Sequence, residues 1–122
     1  MLETNSIQPK IYDLEERTAI FGERIIDLCK KAPKGSVTNR IVDQLIGAGT
    51  GTGGNYQEAN GASSKKDFRN KIFICKKEAK EAQYWLRMLA RACEELKVEC
   101  KELWSEAQEL IMIFSKIAKS SG

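Results

Sequence analysis

The chain has 122 residues, 30% of them charged and 42% hydrophobic, with a formal net charge of +3; this is enough to bury one core without covalent staples, and it points to a single domain over residues 1–122. It contains no histidine, which excludes Ser-His and Cys-His nucleophiles and most acid–base pairs that work at neutral pH. No run approaches the ~18 apolar residues of a membrane span, and the opening MLETNSIQPK lacks the basic and apolar regions of a secretory signal, so a cytoplasmic protein without a membrane partner is expected.

Four helices are predicted, over residues 14–32, 37–61, 64–93 and 98–119. In the first, Leu14, Phe21, Ile25, Leu28 and Ala32 recur at threes and fours. Asp13 is placed to cap it, with Glu16 completing a capping box, and Pro33 and Gly35 end it. In the second, Val37, Ile41, Val42, Leu45 and Ile46 keep helical spacing up to a glycine run. The third starts at Ser64, with Asp67 three residues on. It carries Phe68, Ile72, Cys75, Ala79, Ala82, Leu86, Leu89 and Cys93 at alternating fours and threes. The fourth continues the seam with Leu103, Ala107, Leu110, Phe114 and Ile117. The links are short, which favours antiparallel neighbours and an all-α, antiparallel up-down four-helix bundle.

The run GAGTGTGGNY, residues 47–56, contains Gly49, Gly51 and Gly54 in G-x-G-x-x-G spacing. A dinucleotide loop needs a strand before that spacing and a helix after it, whereas the residues before it here have helical periodicity. No Gly-Lys-Ser/Thr follows, so the Walker alternative fails too. Ala48, Thr52, Asn55, Ala59 and Ala62 continue a helical stripe through the run, and small residues there let a neighbouring helix approach closely. Each glycine costs up to about 1 kcal/mol of helix propensity against alanine, so a kink or an opened turn around Gly51–Gly54 is a further expectation.

The four cysteines, Cys29, Cys75, Cys93 and Cys100, form no C-x-x-C pair and read as reduced, buried thiols. No metal, cofactor or catalytic residue is expected.

Charge is unevenly placed. Residues 63–91 carry nine basic and three acidic groups. Lys65, Arg69, Lys76, Lys80, Arg87 and Arg91 share one narrow face of the third helix at about 100° per residue, with Lys66 nearby and Phe73 and Tyr84 at the edge. Such a row can neutralise phosphates, and Tyr84 or Phe73 can stack on bases. The competing outcome is a solvated face, or one quenched by Glu99, Glu102, Glu106 and Glu109 of the fourth helix. Ile74 and Trp85 stand away from the core seam of the third helix, with Met88 between them and the basic row. Trp104, Ile111 and Met112 repeat the pattern on the fourth. A second apolar surface argues for self-association, and Ile74, Trp85 and Met88 are the expected oligomer interface.

The segments YDLEERT, NYQEAN, SKKDF and KEAKEAQYWL resemble the four-helix-bundle proteins encoded in intervening sequences of bacterial 23S ribosomal RNA genes. The resemblance runs from about Tyr12 to Ile117. It implies an up-down bundle assembling as a ring, a homopentamer. More remotely the chain is similar to the pentameric accessory proteins of diversity-generating retroelements, which bind nucleic acid and a reverse transcriptase. Asn55, Tyr56, Glu58 and Ala59 match the family's N-Y-x-E-A segment, Ser64 to Phe68 its S-K-K-D-F segment, and Glu78, Lys80, Glu81, Tyr84, Trp85 and Leu86 its third-helix signature. Gln57 stands where the family pattern has arginine, and Gly51–Gly54 is richer in glycine than the family's Ser-Ile-Gly-Ala type of segment. Glu58 paired with Lys80 would be a structural device that fixes helix register.

The function expected is a non-enzymatic, self-associating bundle contacting RNA or DNA through Lys65, Lys66, Arg69, Lys76, Lys80, Arg87, Arg91 and Tyr84. The alternative is a scaffold that binds another protein, such as a nucleic-acid enzyme, with the same face.

Overall fold

The structure, a computed structural model, describes residues 13–121. Tyr12 and the residues before it lie outside the described part, as does Gly122. Four helices follow one another: α1 (Leu14–Lys30), α2 (Ser36–Asn60), α3 (Lys65–Ala92) and α4 (Lys97–Ser120), with a 3-10 turn at Glu94–Leu96 leading into α4. Consecutive helices pack side by side, and α1 and α4 close the bundle with a looser contact. The result is the expected up-down four-helix bundle. No described helix is long and apolar enough to cross a membrane.

The core follows the predicted seams, except that Val37, expected on that of α2, is 66% exposed in the first turn of the helix. Leu14, Phe21, Ile25 and Leu28 of α1, Leu45, Ala48, Thr52 and Ala59 of α2, Ile72, Cys75, Ala79, Ala82, Leu86 and Leu89 of α3, and Leu103, Ala107, Leu110 and Phe114 of α4 are all buried. Two details differ. Ile111, expected on a second apolar surface of α4, is buried as well, because it lies close to the side of α4 that carries Leu103, Ala107 and Leu110. Asp13 makes no side-chain cap bond to α1, so the predicted capping box is absent there. At α3 the cap forms as expected: Ser64 Oγ accepts the Asp67 backbone N–H at 3.0 Å, and Asp67 Oδ2 accepts the Ser63 N–H.

The glycine run is unbroken α-helix, and no described glycine has positive φ, so the expected opened turn does not occur. Close packing against α1 takes its place. A Cβ added at Gly49 would stand 2.7 Å from Cγ1 of Ile25, and one at Gly53 would stand 3.2 Å from the Thr18 carbonyl oxygen. Gly22 of α1 faces Thr50 in return. Thr52 Oγ1 donates to the Ala48 carbonyl and Asn55 Nδ2 to the Gly51 carbonyl, at 2.9 and 2.8 Å. These polar side chains are therefore satisfied within the helix that carries them. Tertiary contact overrides the poor propensity of the run.

Candidate nucleic-acid interface

The basic row forms on one side of α3 because its members are separated by fours and sevens. Lys65, Lys66, Lys80, Arg87 and Arg91 are exposed, and Arg69 and Lys76 are half-buried. Phe73 and Tyr84 are about half exposed. They line a shallow depression of about 470 Å³ together with Lys76, Lys77, Lys80, Glu81 and Trp85. The Tyr84 ring meets Trp85 edge-on, with centroids 5.0 Å apart.

Whether this row keeps its field depends on where the acids of α4 go. They go to α1. Arg17 Nε donates to Glu106 Oε2 at 2.7 Å, and its Nη2 reaches Glu106 Oε1 at 2.9 Å and Glu109 Oε1 at 2.6 Å. Lys31 pairs with Glu99. Glu102 shares the α1-directed side of α4 with these residues, since it sits three from Glu99 and four from Glu106. The hydrogen bond that Arg17 donates to Glu106 leads the effects that hold the guanidinium charge more firmly than usual. Among the described residues the remaining ion pair is Lys71 with Glu58, at 2.8 Å. None of Lys65, Lys66, Arg69, Lys76, Lys80, Arg87 and Arg91 takes part in an ion pair there.

The side of α4 turned to α3 carries no carboxylate. Lys97, Lys101, Trp104 and Gln108 succeed one another along it at fours and threes. Gln83 of α3 fixes the two helices together, its Nε2 donating to the Trp104 carbonyl at 3.2 Å and to Gln108 Oε1 at 3.0 Å. The basic face is therefore two helices wide. Lys97 and Lys101 were missed as sequence candidates. Their signal was present in the sorting of α4 charges by face, with cations at 97 and 101 and acids at 99, 102, 106 and 109.

The expected interface residues divide. Ile74 is exposed, while Trp85 and Met88 are half-buried, and Trp85 packs against the core cluster. The N-Y-x-E-A segment is structural in its contacts. Tyr56 packs on Phe114 with ring centroids 6.3 Å apart, and burial raises its hydroxyl pKa. Ala59 is buried. Glu58 pairs with Lys71 and not with Lys80. The reason is position: Lys71 stands on the α2 side of α3, and Lys80 on the opposite basic side.

Fold and surface together define a small all-α bundle with one cationic side. The chain belongs to the 23S rRNA-intervening sequence protein family, whose sequence model matches residues 12–116. It is similar in structure to a protein with unknown function from the S23 ribosomal protein family of Bacteroides thetaiotaomicron VPI-5482. The TM-score is 0.76 at 28% identity, over 86% of this chain and 97% of that one. No curated protein matches this chain in sequence.

Proposed function

We propose that this protein is a non-enzymatic, self-associating helical bundle that contacts RNA or DNA through the basic face of α3. The observation that carries the reading is the diversion of Glu99, Glu106 and Glu109 to Arg17 and Lys31 of α1. It leaves the α3 row without an ion pair among the described residues, with Glu81 the acid that shares the depression beside Lys76 and Lys80. Several phosphates laid along Lys65, Arg69, Lys76, Lys80, Arg87 and Arg91 would release their counterions and give strongly salt-dependent binding. Tyr84 and Phe73 stand beside the row at the height where bases could stack. The exposed Ile74, with Trp85 and Met88 behind it, is the surface through which copies meet, in a closed ring of the homopentamer kind.

The test is light-scattering mass after size exclusion at low and high salt, with the ratio of absorbance at 260 to 280 nm. A salt-stable mass near five chains, with copurifying nucleic acid released by salt, supports the reading. Ile74→Glu should lower that mass without unfolding the chain. A 13.7 kDa monomer free of nucleic acid contradicts both parts.

A further inference from the structure

A groove of about 420 Å³ runs between α3 and α4, and of the basic row on α3 only Arg87 lines it. Arg87 forms one wall, Lys97 and Lys101 the other, Leu86 and Ala90 the floor, and Trp104 one end. Among the described residues no carboxylate lines it. Trp104 is 41% exposed, although a tryptophan at the edge of a bundle core can ordinarily turn its ring inward. The helix beneath it is held by the Gln83 bond to its carbonyl. Three cations around an apolar slot with an aromatic end suit a ligand that is flat and apolar in one part and anionic in the next. An unpaired nucleotide has that chemistry: its base stacks on an indole and its phosphates meet Arg and Lys. A duplex does not, because its bases are already stacked on one another and offer an indole no free face.

We infer that the α3/α4 groove is a subsite for an unpaired nucleobase stacked on Trp104, with the flanking phosphates on Arg87, Lys97 and Lys101, so that the protein prefers single-stranded over duplex nucleic acid. This rests on the nucleic-acid reading of the α3 face and specifies which form of nucleic acid that face takes.

Trp85→Phe leaves Trp104 as the only tryptophan of the chain, so its emission reports on the groove alone. That variant is titrated with a thymidine oligonucleotide and with a duplex of equal length. The expected result is quenching of Trp104 by the single strand and little change with the duplex. In the wild-type background, Trp104→Ala should weaken single-strand binding about tenfold and leave duplex binding within about twofold, and Trp104→Phe should restore most of the loss. Circular dichroism checks that each variant is folded, and the quenching result stands without the alanine variant. Salt-dependent binding that leaves Trp104 emission unchanged, or an alanine effect equal for single strand and duplex, overturns the subsite and leaves the basic face standing. No binding of either oligonucleotide at low salt overturns both.

Discussion

Arg17 of α1 holds Glu106 of α4 through two hydrogen bonds, at 2.7 and 2.9 Å, with only 14% and 21% of the two side chains exposed. This pair bridges the loosest of the neighbouring helix contacts, and it draws the acids of α4 away from α3. Its partial burial makes it worth more than a surface ion pair, because removing one partner leaves the other charge poorly solvated. Arg17→Met should therefore lower stability by about 1–2 kcal/mol, read as a shift in urea midpoint at unchanged slope. Lys31, on the exposed pair with Glu99, is the control: Lys31→Met should change stability by less than about 0.5 kcal/mol.

The glycine run makes a sharper contrast. At Gly49 a methyl group would overlap the branched part of Ile25, at 2.7, 2.9 and 3.0 Å from three of its carbons, and the nearest of these atoms lie close to the backbone and cannot swing aside. Gly49→Ala should cost about 1–3 kcal/mol. At Gly47 and Gly54 nothing lies within 4 Å of an added Cβ, so alanine there should gain up to about 1 kcal/mol of helix propensity. Thermal midpoints of the three single variants, moving in opposite directions, check this. Equal effects at all three would show that α2 is not held against α1 at Gly49.

This contrast marks what could be read in the sequence. The seam of α3 was legible from spacing alone, since Ile72, Cys75, Ala79, Ala82, Leu86 and Leu89 are all buried. Spacing within one helix sets which side chains share a face, so the basic row was legible too. Whether the glycine run stays helical was not, because propensity argues for a break and the answer comes from Ile25 and Thr18 on another helix. The partners of Glu58 and Glu106 were equally hidden. They depend on how neighbouring helices are rotated about their axes, a property of pairs of helices. Trp104 was legible as an exposed aromatic, but its place at the end of a basic groove needed both α3 and α4.

The thiols offer a direct probe of the core. Cys29, Cys75, Cys93 and Cys100 are free and buried, and burial pushes the Cys29 and Cys100 thiols up to about 11 and that of Cys75 to about 12. Thiolate is the reactive form, so in the folded protein at pH 8 these cysteines should react with Ellman's reagent orders of magnitude more slowly than in denaturant. Rapid labelling of all four under native conditions would show that the core opens easily.

Glu78 should make the fold slightly pH-sensitive. Burial, with Glu81 adding to it, raises its pKa above the ordinary value. A carboxyl with a raised folded pKa binds its proton more tightly in the folded chain. Its favourable contribution is fully present below the unfolded pKa, about 4.3, and is lost as pH rises through the folded value. Glu78→Gln should therefore be more stable than the wild type at pH 7, by no more than about 0.5 kcal/mol after solvent screening. The gap should close as the pH is lowered through the carboxylate range, measured by urea unfolding at several pH values.

The cations of α3 without an ion-pair partner among the described residues are proposed to meet phosphates. The most direct measurement is the affinity for a single-stranded oligonucleotide across a range of salt concentrations, for the wild type and for the combined Lys80→Glu, Arg87→Glu and Arg91→Glu variant, all three being exposed positions. The account predicts a steep linear fall of log affinity with log salt for the wild type, and a slope reduced by about 2 when three phosphate contacts are lost. An affinity indifferent to salt, or a slope unchanged by reversing the three charges, would contradict it.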